Sequence, residues 1–231
     1  MEKVLRIGTR DSELAMWQAK KVQSLLENLG YTTTLVPVKS QGDLTLDVPL
    51  YEMGITGVFT KVLDVAMLQG HIDIAVHSMK DVPTMLPKGI VKGAVLERAN
   101  VQDVLVYKGN LDFLSMAEAT IATGSLRRKA QWLRRYPTHS VENLRGNIAT
   151  RLRKLEEQPW QGAIFAAAAL ERLQHDNLQT LTLDWMTPAP AQGAIMAVAL
   201  ANDTYALEAL AQINSPKADA ETDIERRFLK R

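Results

Sequence analysis

The sequence predicts an α/β protein of two lobes, with the chain crossing between them twice. Two observations carry this. Short apolar runs alternate with segments of helical periodicity almost throughout. Two candidate seams, near residues 94–102 and 187–193, interrupt the alternation. Strand-helix-strand repetition with short links implies parallel pairing within each lobe. Residues 1–96 with 193–214 are expected to form the first lobe and 97–192 the second, with 215–231 a closing helix.

The elements follow in order. "VLRIG" reads as a strand ending at Gly8. Ala15, Ala19, Val22, Leu26 and Leu29 then share one helical face, and Gly30 supplies the stop. "TTTLVPV" is a β-branched strand. A helix after "MGITGVFT" runs to about Gln69, before "IDIAV" forms the third strand. "DVLVY" and "ATIATG" read as strands, and "SLRRKAQWLRR" as a helix with Leu126, Ala130 and Leu133 aligned. "SVENLRG" is extended, and "IATRLRKLEE" is a helix with Ile148, Leu152 and Leu155 on one side. "GAIFAAAAL" is a strand passing into a helix, "PAPAQG" a crossing, and "AIMAVAL" a strand. Helical patterns from Thr204 to Ile213 and from Ala220 to Arg231 close the chain.

Bulk properties remove several classes of function. With 231 residues, 46% hydrophobic and 23% charged, the chain can bury a sizeable core. A net charge of +1 gives no general attraction to nucleic acid or membrane. The absence of cysteine removes disulfides, thiolate metal sites and a cysteine nucleophile. His71, His77, His139 and His175 show no metal-ligand spacing, so no metal is expected. "MEKVLRIGTR" has no signal-peptide pattern and no apolar run reaches the length of a membrane span, so a cytoplasmic protein is expected.

The near-zero total hides a concentrated charge. Residues 123–154 carry nine cations against Glu142 alone, +8, leaving −7 for the rest of the +1 chain. Arg10, Arg127, Arg128, Arg145 and Arg151 fall at strand-helix junctions. Helix N-termini there offer free N–H groups and a positive dipole end. Further cations at such points repel the dipole unless an anion is held, and guanidinium forks match carboxylates. Neither GxGxxG nor GxxxxGK[ST] occurs, and Trp132, Tyr136 and Trp160 are not interleaved as a base-stacking platform. A compact ligand with several carboxylates fits better. The third strand supplies a contrast, because "IDIAVHSMKDVP" ends by presenting Lys80 beside Asp81. Ligands of α/β folds bind outside the carboxyl ends of strands, usually between lobes.

"LRIGTRDSELAMWQA", "DIAVHSMKDVPT", "ATGSLRRKAQW", "NLRGNIATRLRKL" and "PAPAQGAIMA" stand in the order and spacing of one family over nearly the whole chain. In these motifs the chain resembles porphobilinogen deaminase, also called hydroxymethylbilane synthase. The resemblance implies two lobes of periplasmic-binding-protein-like (type II) architecture, plus a smaller third domain. It implies condensation of four porphobilinogen molecules, each losing ammonia, into the linear tetrapyrrole 1-hydroxymethylbilane of haem biosynthesis. It also implies a dipyrromethane cofactor joined through a thioether to a third-domain cysteine. By motif, Asp81 would be the catalytic carboxylate. Arg10, Ser12, Phe59, Lys80, Ser125, Arg127, Arg128, Arg145, Arg151 and Gln192 would bind cofactor or substrate. A monomer acting on this small molecule, without nucleic acid or membrane, is expected.

Two departures stand beside the likeness. "GITGVF" places Thr56 where the family pattern GGKGLF has lysine. "IERRFLKR" resembles the helix before the family's LEGGC turn, so 215–231 is expected to be a helix leading to a third domain that is absent together with its cysteine, and an unattached cofactor and an inactive chain are expected. The competing reading is a two-lobed polycarboxylate- or anion-binding module without catalysis. Asp81 weighs against it, since a pure polyanion binder gains nothing from an acid among its cations.

Overall fold

The structure, a computed structural model, describes residues 3–38 and 60–229. These form two compact units. The first takes the described residues up to Ala99 and again from Pro190, and the second runs from Asn100 to Ala189.

In the first unit β1 (Leu5–Arg10), α1 (Glu13–Asn28), β2 (Thr33–Val38), α2 (Lys61–Leu68), β3 (Ile74–Ser78) and β4 (Ile90–Val95) precede the passage to the second unit. The second unit contributes β5 (Asp103–Tyr107), β6 (Thr120–Ala122), α3 (Leu126–Arg135), β7 (Ser140–Glu142), α4 (Ile148–Glu157), β8 (Gly162–Ala166), α5 (Ala167–Arg172) and β9 (Thr180–Thr182). The chain then returns with β10 (Ile195–Leu200), α6 (Thr204–Ala211) and α7 (Pro216–Phe228).

The first sheet has the order β2-β1-β3-β10-β4. Both of its faces are covered, so β10 reads as an unbroken apolar run and β3 is apolar as far as Val76. Successive side chains alternate between two cores. Ile74, Val76, Ala197 and Ala199 face Ala19, Val22 and Leu26 of α1. Ala75, Met196 and Val198 face Leu63 and Met67 of α2. Fully buried Val22 and Leu26 each stabilise the fold by about 1.5–3 kcal/mol relative to exposure. A Cβ on Gly93 would come 2.3 Å from Leu210, so glycine there lets α6 lie close against β4.

The second sheet has the order β7-β6-β8-β5-β9. Val104, Val106, Ala163 and Phe165 pack on one side with Leu155 of α4 and Leu170 of α5. Leu105, Ile121 and Ile164 pack on the other with Trp132 of α3.

Several expectations change. Both sheets are mixed rather than parallel: β10 runs antiparallel to β3 and β4, and β5 antiparallel to β8 and β9. The preference for parallel crossovers governs strands joined by one helix, whereas a whole unit intervenes before β10. Helix α3 buries Arg128 and Trp132; of the predicted Leu126–Ala130–Leu133 face only Leu133 packs against the core, and Leu126 and Ala130 are exposed. Its polar partner lies beneath it, as described below. Leu29 caps α1 and is exposed, because Gly30 at φ 91° already turns the chain away. Strands β4 and β9 add to the predicted set. Helix α7 starts at Pro216 rather than Ala220, with Ser215 accepting from the Ala218 N–H and proline in the first turn. Among the described residues no helix is long and apolar enough to cross a membrane.

Candidate active site

Parallel pairing of β1 with β3 brings Arg10 and the residues after Ser78 to the same end of the first sheet. Beyond Ser78 the backbone turns once as a 3-10 helix, Met79–Asp81, closed by the Val82 N–H on the Met79 carbonyl. Asp81 is exposed there and lines a pocket with Arg10, Ser12, Gln18, Thr60 and His77. Ser12 holds the N-cap position of α1 with extended backbone and makes no side-chain cap bond. The helix start therefore adds its positive dipole end to the Arg10 charge at the pocket. Buried Gln18 anchors the rim, its amide donating to Ser78 Oγ at 2.8 Å and accepting from it at 3.2 Å.

His77 is also buried at this pocket. Burial, reinforced by the Arg10 charge, pushes its imidazole down from 6.5 to about 4. The ring is neutral at pH 7. The unfolded chain binds this proton more readily, so the stability that the neutral His77 contributes falls as pH drops below 6.5 and is gone below about 4. The group's contribution amounts to about 3 kcal/mol. Urea unfolding of wild type and His77→Gln at pH 7 and 4.5 checks this. The variant is expected to lose less stability on acidification, and equal losses would assign the acid sensitivity elsewhere.

Lys80, also on the 3-10 turn, donates to Gln192 Oε1 at 3.3 Å. Gln192 is fully buried in a turn where Ala191 and Gly193 have φ of 61° and 84°. That left-handed conformation costs an alanine about 1–2 kcal/mol, and it is held from α7. Glu225 accepts the Ala191 N–H at 2.7 Å and pairs both its oxygens with Arg98, whose Nε donates to the Gln192 carbonyl at 3.0 Å. Lys92 on β4 pairs with Asp219 and Asp223 and docks the same helix.

In the second unit Ser125 is the N-cap of α3 and accepts the Arg128 N–H. The two arginines that follow converge on Asp103, fully buried at the start of β5. Arg128 donates to its Oδ1 from Nε at 3.0 Å and Nη2 at 2.7 Å, and to the Ile164 carbonyl at 3.0 Å. Arg127 lies 2.7 Å from Oδ2 and donates to the Thr187 carbonyl. Arg145 is buried just before α4, and burial holds its guanidinium below the usual arginine value. Asn147 caps α4 by accepting the Thr150 N–H, and Arg151 donates to the Gly146 carbonyl at 2.7 Å.

Phe59 and Thr56 lie outside the described residues. Sequence reasoning gave no role to Gln18, His77, Asp103 or Arg172. Arg172, at the end of α5, is pushed by burial to about 10 against the opposing charge of Glu171. Asp103 was readable as an acid heading the buried run "DVLVY". Among the described residues no three acidic or histidine side chains gather as a metal site would require.

Residues 5–208 match the family model described as porphobilinogen deaminase, dipyromethane cofactor binding domain. The chain belongs to the porphobilinogen deaminase family. It is 42% identical over 232 residues to the porphobilinogen deaminase of Syntrophotalea carbinolica, covering 98% of this chain and 74% of that one. It is 42% identical over 228 residues to a probable porphobilinogen deaminase of Methanocaldococcus jannaschii (98% and 77%). It is 44% identical over 223 residues to that of Acidithiobacillus ferrooxidans (94% and 72%). Among solved structures it resembles an ancestral cationic amino acid solute-binding protein, with TM-score 0.56, 15% identity and coverage of 97% and 94%. It also resembles the periplasmic VFT2 domain of Bordetella pertussis BvgS, with TM-score 0.55, 12% identity and coverage of 97% and 92%. The fold is therefore that of two-lobed periplasmic binding proteins, carrying the sequence of porphobilinogen deaminases.

Proposed function

We propose that this chain carries the catalytic residues of the porphobilinogen deaminase reaction, with Asp81 as the catalytic carboxylate. The supporting observation is one pocket in which Asp81 is set beside Arg10 and Ser12 at the carboxyl ends of adjacent parallel strands. Porphobilinogen brings acetate and propionate groups and an aminomethyl group. Loss of ammonia leaves an electrophilic, azafulvene-like methylene carbon whose positive charge spreads to the pyrrole nitrogen. A carboxylate placed to accept the pyrrole N–H stabilises that cation. It can also hand a proton to the leaving amine and take one from the ring carbon once the new bond has formed. The cation of Arg10 holds a substrate carboxylate and keeps the acid from standing alone.

The donors fit a polycarboxylate cofactor as well as the substrate. The family's dipyrromethane, when bound, supplies the pyrrole end to which units are added. Lys80, steadied by Gln192, and Arg10 with Ser12 would hold its carboxylates in the first unit. In the second unit Arg145 and Arg151 would carry that chemistry, with Ser125, Arg127 and Arg128 at the start of α3, where both arginines also pair with Asp103. The 231 residues contain no cysteine. In this reading the chain works as a cytoplasmic monomer on a small molecule.

Because none of the 231 residues is a cysteine that could anchor dipyrromethane, incubation with porphobilinogen and added dipyrromethane separates catalysis from mere binding. The expected result is one ammonia released per porphobilinogen consumed, with a linear tetrapyrrole identified by mass. Saturable porphobilinogen binding without ammonia release would replace the enzyme by a polycarboxylate-binding module.

A further inference from the structure

Arg226 lies on α7, only 9% exposed, and its guanidinium is directed at backbone. Nη1 donates to the carbonyls of Met79 and Val82 at 3.2 and 2.8 Å, and Nη2 to the carbonyl of Pro83 at 2.5 Å. These acceptors bracket Lys80 and Asp81. The Met79 carbonyl also closes the 3-10 turn by accepting the Val82 N–H, and the Met79 N–H donates to the Ala194 carbonyl of the strained turn. We infer that Arg226 is a positioning residue for the reaction: from α7 it fixes the backbone turn that aims Lys80 and Asp81.

The chemistry of the pair supports this. A short turn ending a strand has few bonds of its own, and its last carbonyls are left without ladder partners. An exposed turn would satisfy them with water and sample several orientations. A buried guanidinium presents its donors in a fixed plane, so three acceptors held at once define the turn's tilt as well as its place. An ammonium has no such plane. Nor is the anchoring helix loosely attached. The neighbouring Glu225 holds the Ala191 N–H, so consecutive residues of α7 secure both backbone turns that flank Lys80. Arg226 touches no reacting group in this arrangement. Its effect on rate would come through the orientation of Asp81, where misplacement of about 1 Å costs on the order of 10²-fold.

The inference rests on Asp81 being the catalytic carboxylate, so Asp81→Asn is measured alongside. Arg226→Met keeps the aliphatic stem and removes every donor, and Arg226→Lys keeps the charge without the fork. Steady-state porphobilinogen turnover, melting curves and amide hydrogen exchange are recorded for each. Arg226→Met is expected to lower kcat about 10²-fold with KM within about threefold. Faster exchange should be confined to the amides of residues 79–82, with α1 and β10 unchanged. Arg226→Lys should fall between, and methylguanidinium added to Arg226→Ala should recover turnover. If Arg226→Met melts cooperatively and keeps kcat within about twofold of wild type while Asp81→Asn is inactive, Arg226 does no positioning. Exchange rising across the whole first unit, with no methylguanidinium rescue, would make it a structural staple. An Asp81→Asn variant with full turnover would overturn the catalytic reading itself, and this inference with it.

Discussion

Asp81→Asn is expected to leave the fold intact and to reduce porphobilinogen turnover about 10²–10⁴-fold. The amide is nearly isosteric with the carboxylate. It cannot neutralise a cation that grows on the pyrrole nitrogen, and it cannot accept and return a proton. The side chain is exposed at the pocket rather than packed, so the change should alter stability by less than about 0.5 kcal/mol. Rate and melting temperature, measured on the same preparation, separate the two effects. Retention of more than about a tenth of the wild-type rate would remove Asp81 from the centre of the mechanism.

Asp103→Asn is expected to act oppositely, through the fold. The wild-type carboxylate is fully buried and receives Arg128 by two bonds and Arg127 by a third contact. Removing its charge leaves a buried guanidinium without compensation, a change that costs about 3–5 kcal/mol. For a unit of this size the midpoint should fall by on the order of 10–40 °C. Thermal and urea unfolding of wild type, Asp103→Asn, Arg128→Leu and the double variant test this as a cycle. If the ion pair has this role, the double variant should lose far less than the sum of the single changes. Additive losses of under about 1 kcal/mol each would place the pair with ordinary surface bridges.

This second case shows where the sequence was legible and where it was not. Strand-helix alternation could be read because each element has its own periodicity, and α1 and α4 bury the predicted Ala19, Val22, Leu26 and Leu155. "HSMKDVP" marked the site because a charged pair at a strand end breaks that strand's own pattern. Arg128 was different. Its charge and its place at a helix start are the same whether its partner is a bound carboxylate or Asp103, which lies on another strand. Only tertiary structure reveals Asp103 as a partner. The direction of β10 escaped for a similar reason, since an apolar run of six residues has no intrinsic sense relative to its neighbours. His77 was hidden by its type, because a lone histidine in an apolar strand looks like filler until a pocket is seen beside it.

The insertion of the second unit between β4 and β10 bears on how the chain is made. Residues Asn100–Ala189 are contiguous, so that unit can close as soon as it emerges from the ribosome. The first sheet cannot. Its strand β10 pairs with both β3 and β4, and it is synthesised only after the entire second unit. Until then β3 and β4 present unpaired apolar edges of the kind that nascent chains aggregate through. The half that carries Asp81 is therefore the half whose folding must wait.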